Sequence, residues 1–563
     1  MPGLGLASAG RAGRLPAVKE RLAGLLLPAF SARRRGDLGI GDTRALIEWI
    51  DLMADHGVRL VQLLPINETG ADDSPYNAIS SVALDPVYLT IEEVPGVDEG
   101  LARVVGSFPD GGPVDYAASR QAKRGLLEAA WKRWPDAGAA LREEFGAFQK
   151  AEAAWLEDYC AFRALVEKYG TEAWDDWPEE SQTAIGALAG LAGLEGRMDY
   201  FAWLQWLCFR QWRAVRRHAD ERGVRLMGDI PIGVSRYSAD VFFGRDDFDL
   251  EWCGGAPPET MFKHDRFIRI WGQNWGIPLY RWDKMEREGF PWWRRRIDKL
   301  TDVFHVFRID HVLGFYRIYA FPWRPRENPR FIDLTEKEAA ALTGGRLPGW
   351  SPRPDDTAAH QRANRDDGDR RLKVIQEAAG PAEVVGEDLG VVPDYVRPHL
   401  ESRGIAGFRI PHWDADEDGE VVPGDELPEC SFATYATHDH DPLPALWEDY
   451  RRQIADEELD EDEREEAAEV FRLLCEFAEI ADPGPFDSLV QWHLIDALMA
   501  CRSRYAVIMV TELFGMSDRI NQPGTVGPHN WSFRLPWTAD ECRARPEWKR
   551  LLASIESAGR IGA

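Results

Sequence analysis

The chain has 563 residues, with 67 Lys+Arg against 95 Asp+Glu, a formal charge of −28, 44% hydrophobic and 11% aromatic residues. That length implies one large barrel with insertions or two to three domains, and the hydrophobic share excludes a disordered chain. The negative field repels nucleic acid and anionic membrane and favours neutral or cationic ligands; the short runs Arg33–Arg35 and Arg294–Arg296 do not reverse it.

Residues 1–19 are Gly/Ala-rich and are expected to form a flexible tail with no signal peptide. Short apolar, β-rich runs then recur: 24–30, 59–67, 224–232, 305–314, 382–390, 406–413, 431–437 and 505–515. Runs apolar at every position imply strands buried on both faces, as in a parallel sheet. Between the first two, "GDTRALIEWIDLMADHG" has helical spacing, an Asp42 or Thr43 N-cap and a closing Gly57, completing one β-α-β unit. Eight such runs predict a (β/α)8 TIM barrel over residues 20–563 with large, mostly helical insertions. The longest insertion falls at about 68–200, with smaller ones at about 240–300 and 325–375. The stretch 197–223 has the spacing of an amphipathic barrel helix, and the acidic block 455–470 that of a solvated helix face.

Seven scattered cysteines, with no C-x-x-C pair, point to a reducing compartment rather than a disulfide frame or zinc ribbon. No run approaches the length of a membrane span. A cytoplasmic location is the expectation.

In such a barrel, catalytic groups stand at the C-terminal ends of strands. Asp229 in "GDIPI" ends the third run, Asp310 in "RIDH" the fourth, Glu387 in "GEDLG" the fifth and Asp439 in "THDHD" the seventh. Retaining cleavage of a glycosidic bond needs a carboxylate nucleophile and a protonated carboxyl about 5–5.5 Å away, a pairing that neighbouring strand ends can supply. Arg308, two residues before Asp310, points to the same side of its strand and is expected to lower that carboxyl's pKa. Glu387 must stay protonated, which requires burial or neighbouring negative charge. His438 and His440 alternate on an extended run, as metal-binding His-x-His pairs do, so a metal-dependent barrel hydrolase is an alternative. The preferred reading makes Asp439 a transition-state carboxylate and His438 a donor to a sugar hydroxyl, with no metal and no cofactor. Of the tryptophans near these motifs, Trp271, Trp275, Trp282, Trp292, Trp293 and Trp323, the one expected to touch substrate is Trp275.

Nine stretches in order carry a resemblance: "GDLGIGD", "SPYNAISSVAL", "GDIPIGVSRYSADVFF", "GAPPE", "GQNWGIPLYRW", "RIDHVLGF", "GEDLG", "THDHD" and "NQPGTVGPHNWSFRLP". Together they resemble the 4-α-glucanotransferases (amylomaltases, disproportionating enzymes) of glycoside hydrolase family 77, in the α-amylase clan. The resemblance implies α-1,4-glucans and maltooligosaccharides as donor and acceptor. It implies Asp310 as nucleophile, Glu387 as general acid/base and Asp439 as transition-state stabiliser. It also implies donor-side contacts from Tyr76, Asp229, Arg308, His311 and His438, and an acceptor-side loop carrying Gln273 and Trp275. Departures include Tyr237 in "YSAD", His440 within "THDHD" and the unusual loop 260–272, which bear on acceptor preference. An α-glucan hydrolase of the same fold and a non-catalytic glucan-binding protein are the remaining alternatives.

Overall fold

A computed structural model of the chain describes residues 20–98, 108–109, 111–259, 265–416 and 418–560. The expected tail at 1–19 and residues 260–264 of the unusual loop lie outside the described residues.

Among the described residues twelve strands run in chain order: β1 Leu22–Leu26, β2 Leu60–Gln62, β3 Arg225–Ile230, β4 Phe248–Ala256, β5 Gln273–Tyr280, β6 Val306–Ile309, β7 Ile318–Phe321, β8 Gly349–Ser351, β9 Glu383–Gly386, β10 Ala406–Arg409, β11 Ser431–Ala433 and β12 Tyr505–Met509. Eight of them close a parallel barrel in the order β1-β2-β3-β6-β9-β10-β11-β12, the last pairing with the first from Leu22↔Tyr505 to Leu26↔Met509. Each expected run supplies one of these strands, and the reason is physical. Leu25, Val61, Met227, Val306, Val385, Phe408, Phe432 and Ile508 are all almost wholly buried, between barrel interior and surrounding helices. Burying each such side chain contributes roughly 1.5–3 kcal/mol. Helix Thr43–Asp55 starts where the Asp42 carboxylate accepts the Ala45 N–H at 2.9 Å, a cap that contributes about 1 kcal/mol.

Between β2 and β3 lie helices Tyr116–Arg133, Ala139–Tyr169 and Glu195–Glu221. The last is an aromatic spine: Tyr200, Phe201, Trp203, Trp206, Phe209 and Trp212 are all buried, gripped by the helices on either side. Its apolar surface extends well round the helix, beyond the single stripe of an amphipathic one. Helix Glu461–Phe477 carries most of the acidic block on its exposed face.

The remaining strands form an antiparallel sheet in the order β5-β4-β7-β8. "GQNWGIPLY" is therefore a strand with irregular register against β4, rather than a loop. This sheet stands over the β3–β6 side of the barrel mouth, where Ile277 fills the space above Gly233 and Gly254.

Barrel register fixes the height of the acids. Asp229 pairs with Arg308 across β3 and β6, and Ile309 with Gly386 across β6 and β9. The Asp310 N–H then donates to Ile230 O at 2.9 Å and the Glu387 N–H to Ile309 O at 3.0 Å, so both carboxyls leave the barrel on its C-terminal rim.

Candidate active site

Arg308 is the hub. Its Nη1 donates to Asp229 Oδ2 at 2.5 Å and to Tyr76 Oη at 3.3 Å; its Nη2 donates to Asp310 Oδ1 at 2.9 Å and lies 3.7 Å from Glu387 Oε1. The Tyr76 hydroxyl donates to Asp229 Oδ2 at 2.7 Å. One guanidinium nitrogen thus sits between Asp310 and Glu387 and holds their carboxyls close together. Side-chain exposure separates two layers: Asp310 is 26%, Glu387 16% and Asp439 34% exposed, whereas Asp229 is 0% and Arg308 2%. The first three can meet a ligand, and the other two form the floor that aims them.

Local backbone explains the acids' orientation. His311 adopts a left-handed conformation with φ 48°, and its N–H donates to Glu387 Oε2 at 2.7 Å. The β6 chain turns sharply there, and an exposed backbone N–H becomes the anchor of the neighbouring acid. The other acid of "GEDLG", Asp388, is fully buried and accepts the Phe408 N–H, with Arg397 and Arg409 alongside. It ties β9 to β10 and takes no part in the cleft.

Burial pushes the Asp310 carboxyl up to about 7, with Arg308 opposing and Glu387 and Asp439 adding to it. This corrects the expectation that Arg308 would leave Asp310 below its ordinary range: desolvation of the charged form outweighs the ion pair. Glu387 is also raised, by burial first, then by Asp439 and Asp388, against Arg308 and the His311 N–H. The two titrate as a pair. Each carboxyl accepts one hydrogen bond that favours its ionised form, Asp310 from the Arg308 guanidinium and Glu387 from the His311 N–H. With Glu387 Oε2 taken by the His311 N–H, Oε1 is the oxygen left free to carry a proton.

Asp439 behaves differently. Burial pushes it up, but His438, the Asn521 amide, His440 and Arg308 pull harder and leave it below the ordinary range. Its Oδ1 accepts from Asn521 Nδ2 at 2.6 Å. Arg519 donates to the Asp439 carbonyl and, at 2.9 Å, to Asp441, and the Asn521 N–H donates to His438 O at 3.1 Å. Sequence reading missed Arg519 and Asn521; the only signal was the position of Asn521 at the head of the quoted "NQPG" stretch.

His438 and His440 do not share a strand face as expected. β11 ends at Ala433, and the histidines lie in a turn whose His440 N–H donates to Thr437 O at 3.1 Å. His438 stacks on Tyr76, ring centroids 5.2 Å apart at 11°, with Trp531 beside both. His440 instead meets Trp413 edge-on at 4.9 Å and shares a hydrogen bond with Thr437 Oγ1 at 2.8 Å. Burial drives His438 down to about 4, so it is neutral at pH 7. Among the described residues no three His, Cys, Asp or Glu side chains converge as metal ligands.

Of the six tryptophans near the motifs, Trp271, Trp292, Trp293 and Trp323 are core, and Trp282 is packed between Trp293 and Arg371. Trp275 is 37% exposed and lies edge-on to His311 at 4.9 Å, its Nε1 donating to Gln273 Oε1 at 3.3 Å. Gln273 in turn donates to Glu259 at 3.5 Å. All ten candidate residues are linked through this cleft: Tyr76, Asp229, Arg308, Asp310, Glu387, His438 and Asp439 at its base, His311, Trp275 and Gln273 on its rim. Several buried polar atoms there, His311 Nε2, Asp229 Oδ1 and His438 Nδ1, have no protein hydrogen-bond partner.

The family model described as 4-alpha-glucanotransferase matches residues 27–539. The 4-alpha-glucanotransferase of Thermus thermophilus is 30% identical, covering 92% of this chain and 95% of that one. That of Chlamydia pneumoniae is 28% identical over 94% of each chain, and the chloroplastic/amyloplastic enzyme of Solanum tuberosum is 29% identical over 96% and 87%. Among solved structures, an amylomaltase from Streptococcus agalactiae in complex with acarbose superimposes with a TM-score of 0.77 at 22% identity, over 96% of this chain and 100% of that one; this last likeness speaks for the barrel fold. With the model spanning most of its length, the chain belongs to the 4-alpha-glucanotransferases of glycoside hydrolase family 77.

Proposed function

We propose that this glucanotransferase works through Asp310 as nucleophile, Glu387 as acid and base, and Asp439 as the charge that steadies the transition state. The observation that carries the assignment is the single Arg308 nitrogen between Asp310 and Glu387. It engages Asp310 Oδ1 and leaves Oδ2 open to attack the anomeric carbon. The proton on Glu387 Oε1 passes to the departing glycosidic oxygen, and a glycosyl ester forms on Asp310. Positive charge grows on the sugar ring during this step, and ionised Asp439 stabilises it without reorganising, because Asn521 already holds the carboxylate. The 4-hydroxyl of an incoming sugar then gives its proton to Glu387 and attacks the ester. Two inversions at one carbon keep the α-configuration.

Donor and acceptor are α-1,4-glucans and maltooligosaccharides. The aromatic walls support this: part-exposed Tyr76 and exposed Trp275 offer flat faces suited to pyranose rings, backed by His438 and His311, whose buried ring nitrogens include ones with no protein partner. An acceptor held on the Trp275 rim competes with water through its high effective concentration. Scattered cysteines and the acidic charge support a cytoplasmic enzyme; no described helix is long and apolar enough to cross a membrane.

Maltotriose as sole substrate tests the reading. Free glucose and a ladder of longer maltooligosaccharides should form while total reducing ends stay nearly constant, since each bond broken is replaced by one made. Reducing ends that climb in step with substrate loss, with nothing longer than maltotriose, would mean that water is the acceptor.

A further inference from the structure

A groove of about 620 Å³ lies between β5, helix Trp282–Arg287 and helix Ala358–Ala379. It is lined by Arg281, Lys284, Arg287, Arg353, Arg370 and Arg371, against four acids, in a chain whose overall charge is −28. Two of these acids, Asp367 and Glu286, are already committed, while Asp249 and Asp283 also line the groove. Asp367 is engaged by Arg353 at 2.8 Å and by Arg370 at 2.5 Å, which leaves Arg371 3.9 Å away. Glu286 is taken up by Arg370 at 3.0 Å. Arg281 donates through Nε to Phe248 O, and neither it nor Arg287 has a carboxylate at ion-pair distance among the described residues.

Arg371 gives the groove a built floor. It is 8% exposed, lies over the Trp282 ring at 4.4 Å and donates Nη1 to Phe315 O at 2.7 Å, so its guanidinium is fixed in orientation, with the Asp367 carboxylate 3.9 Å away. A fixed guanidinium in one groove with two that have no carboxylate at ion-pair distance is a set of donors that can recognise a dianion through forked hydrogen bonds. The volume exceeds that of a phosphate alone and falls within the range of small-molecule sites.

We propose that this groove binds a phosphate monoester of sugar size, with Arg281, Arg287 and Arg371 on the phosphate. Gly314 and Ile232, which line the inner wall, adjoin the loop that carries Asp310 and His311, so an occupant sits directly behind the catalytic rim.

Calorimetric titration at low ionic strength with glucose 6-phosphate, inorganic phosphate and glucose tests the proposal, in the wild-type protein and in Arg281→Glu/Arg287→Glu. Both substituted side chains are exposed, and an unchanged circular dichroism spectrum and maltotriose turnover would show that losing the Arg281–Phe248 hydrogen bond leaves the fold intact. Saturable binding of glucose 6-phosphate should weaken by about tenfold or more in the double variant and fall with added salt. Inorganic phosphate should bind the same groove more weakly; equal affinity would still support the phosphate site and identify free phosphate as its ligand. Absence of saturable binding by either phosphate compound would overturn the proposal. So would phosphate-compound binding that survives the double substitution, because it would then belong to the catalytic cleft.

Discussion

Asp310 with Glu387, and Asp439 across from them, occupy one cleft, yet they have opposite electrostatics. Burial pushes all three up, but Asp439 still ends below its ordinary range. The pair has one guanidinium to divide between two carboxyls, and both stay above their ordinary range, Asp310 at about 7. Asp439 has its own amide donor at 2.6 Å and a backbone clamp from Arg519, and stays ionised. His438 is neutral at pH 7, so its pull on Asp439 fades there, while the Asn521 hydrogen bond and the Arg308 charge persist. The lesson is that burial alone does not assign an acid's role; the balance of neighbouring charges and hydrogen bonds against desolvation does.

The contrast can be broken at either end. The largest effect belongs to Asp310→Asn, which removes the covalent route: turnover of maltotriose should fall at least about 10⁴-fold with the circular dichroism spectrum unchanged. Retention of a few per cent of wild-type rate would place the nucleophile elsewhere. Asp439→Asn should cost about 10²–10³-fold, in kcat more than in KM, because the charge it opposes exists only at the transition state. A change confined to KM would reduce Asp439 to a substrate contact. Asn521→Ala, which leaves the carboxylate but removes its amide, should cost about tenfold in kcat, whereas an unaltered rate would show that Arg519 alone orders the turn.

The smallest effect is a change in a pH profile. Glu387 is raised above its ordinary value and must be protonated to act, so kcat/KM should fall as pH rises and the pair gives up its proton. An α-glucosyl fluoride needs little protonation to leave, so Glu387→Gln with that donor should lose this alkaline limb in the glycosylation step. Persistence of the limb would assign it to another group.

The barrel was legible because its strands are apolar at every position, and burial on both faces leaves that mark in any sequence. β4 and β5 carried no such mark: their faces are partly exposed, glycines interrupt them and their register shifts at Asp249/Cys253 and Gly254/Gly255. The acids were findable as strand-end motifs, but their protonation was not, since Asp310 looks simply ion-paired until the depth of the cleft is known. The histidines misled because "FATYATHDHD" keeps an extended pattern past Ala433, where Thr437 and His440 fold the chain into a turn. Asn521 and Arg519, some eighty residues beyond Asp439, were beyond the reach of any local pattern.

The division of labour between Asp310 and Glu387 is tested most directly by trapping the intermediate. Glu387→Gln given an α-glucosyl fluoride should complete the first displacement and then stall, because no base remains to activate the acceptor. Peptide mass spectrometry of the quenched protein should find one added glucosyl unit, on the peptide containing Arg308-Ile309-Asp310-His311. An adduct on any other carboxylate, or fluoride release with no adduct at all, would contradict the account.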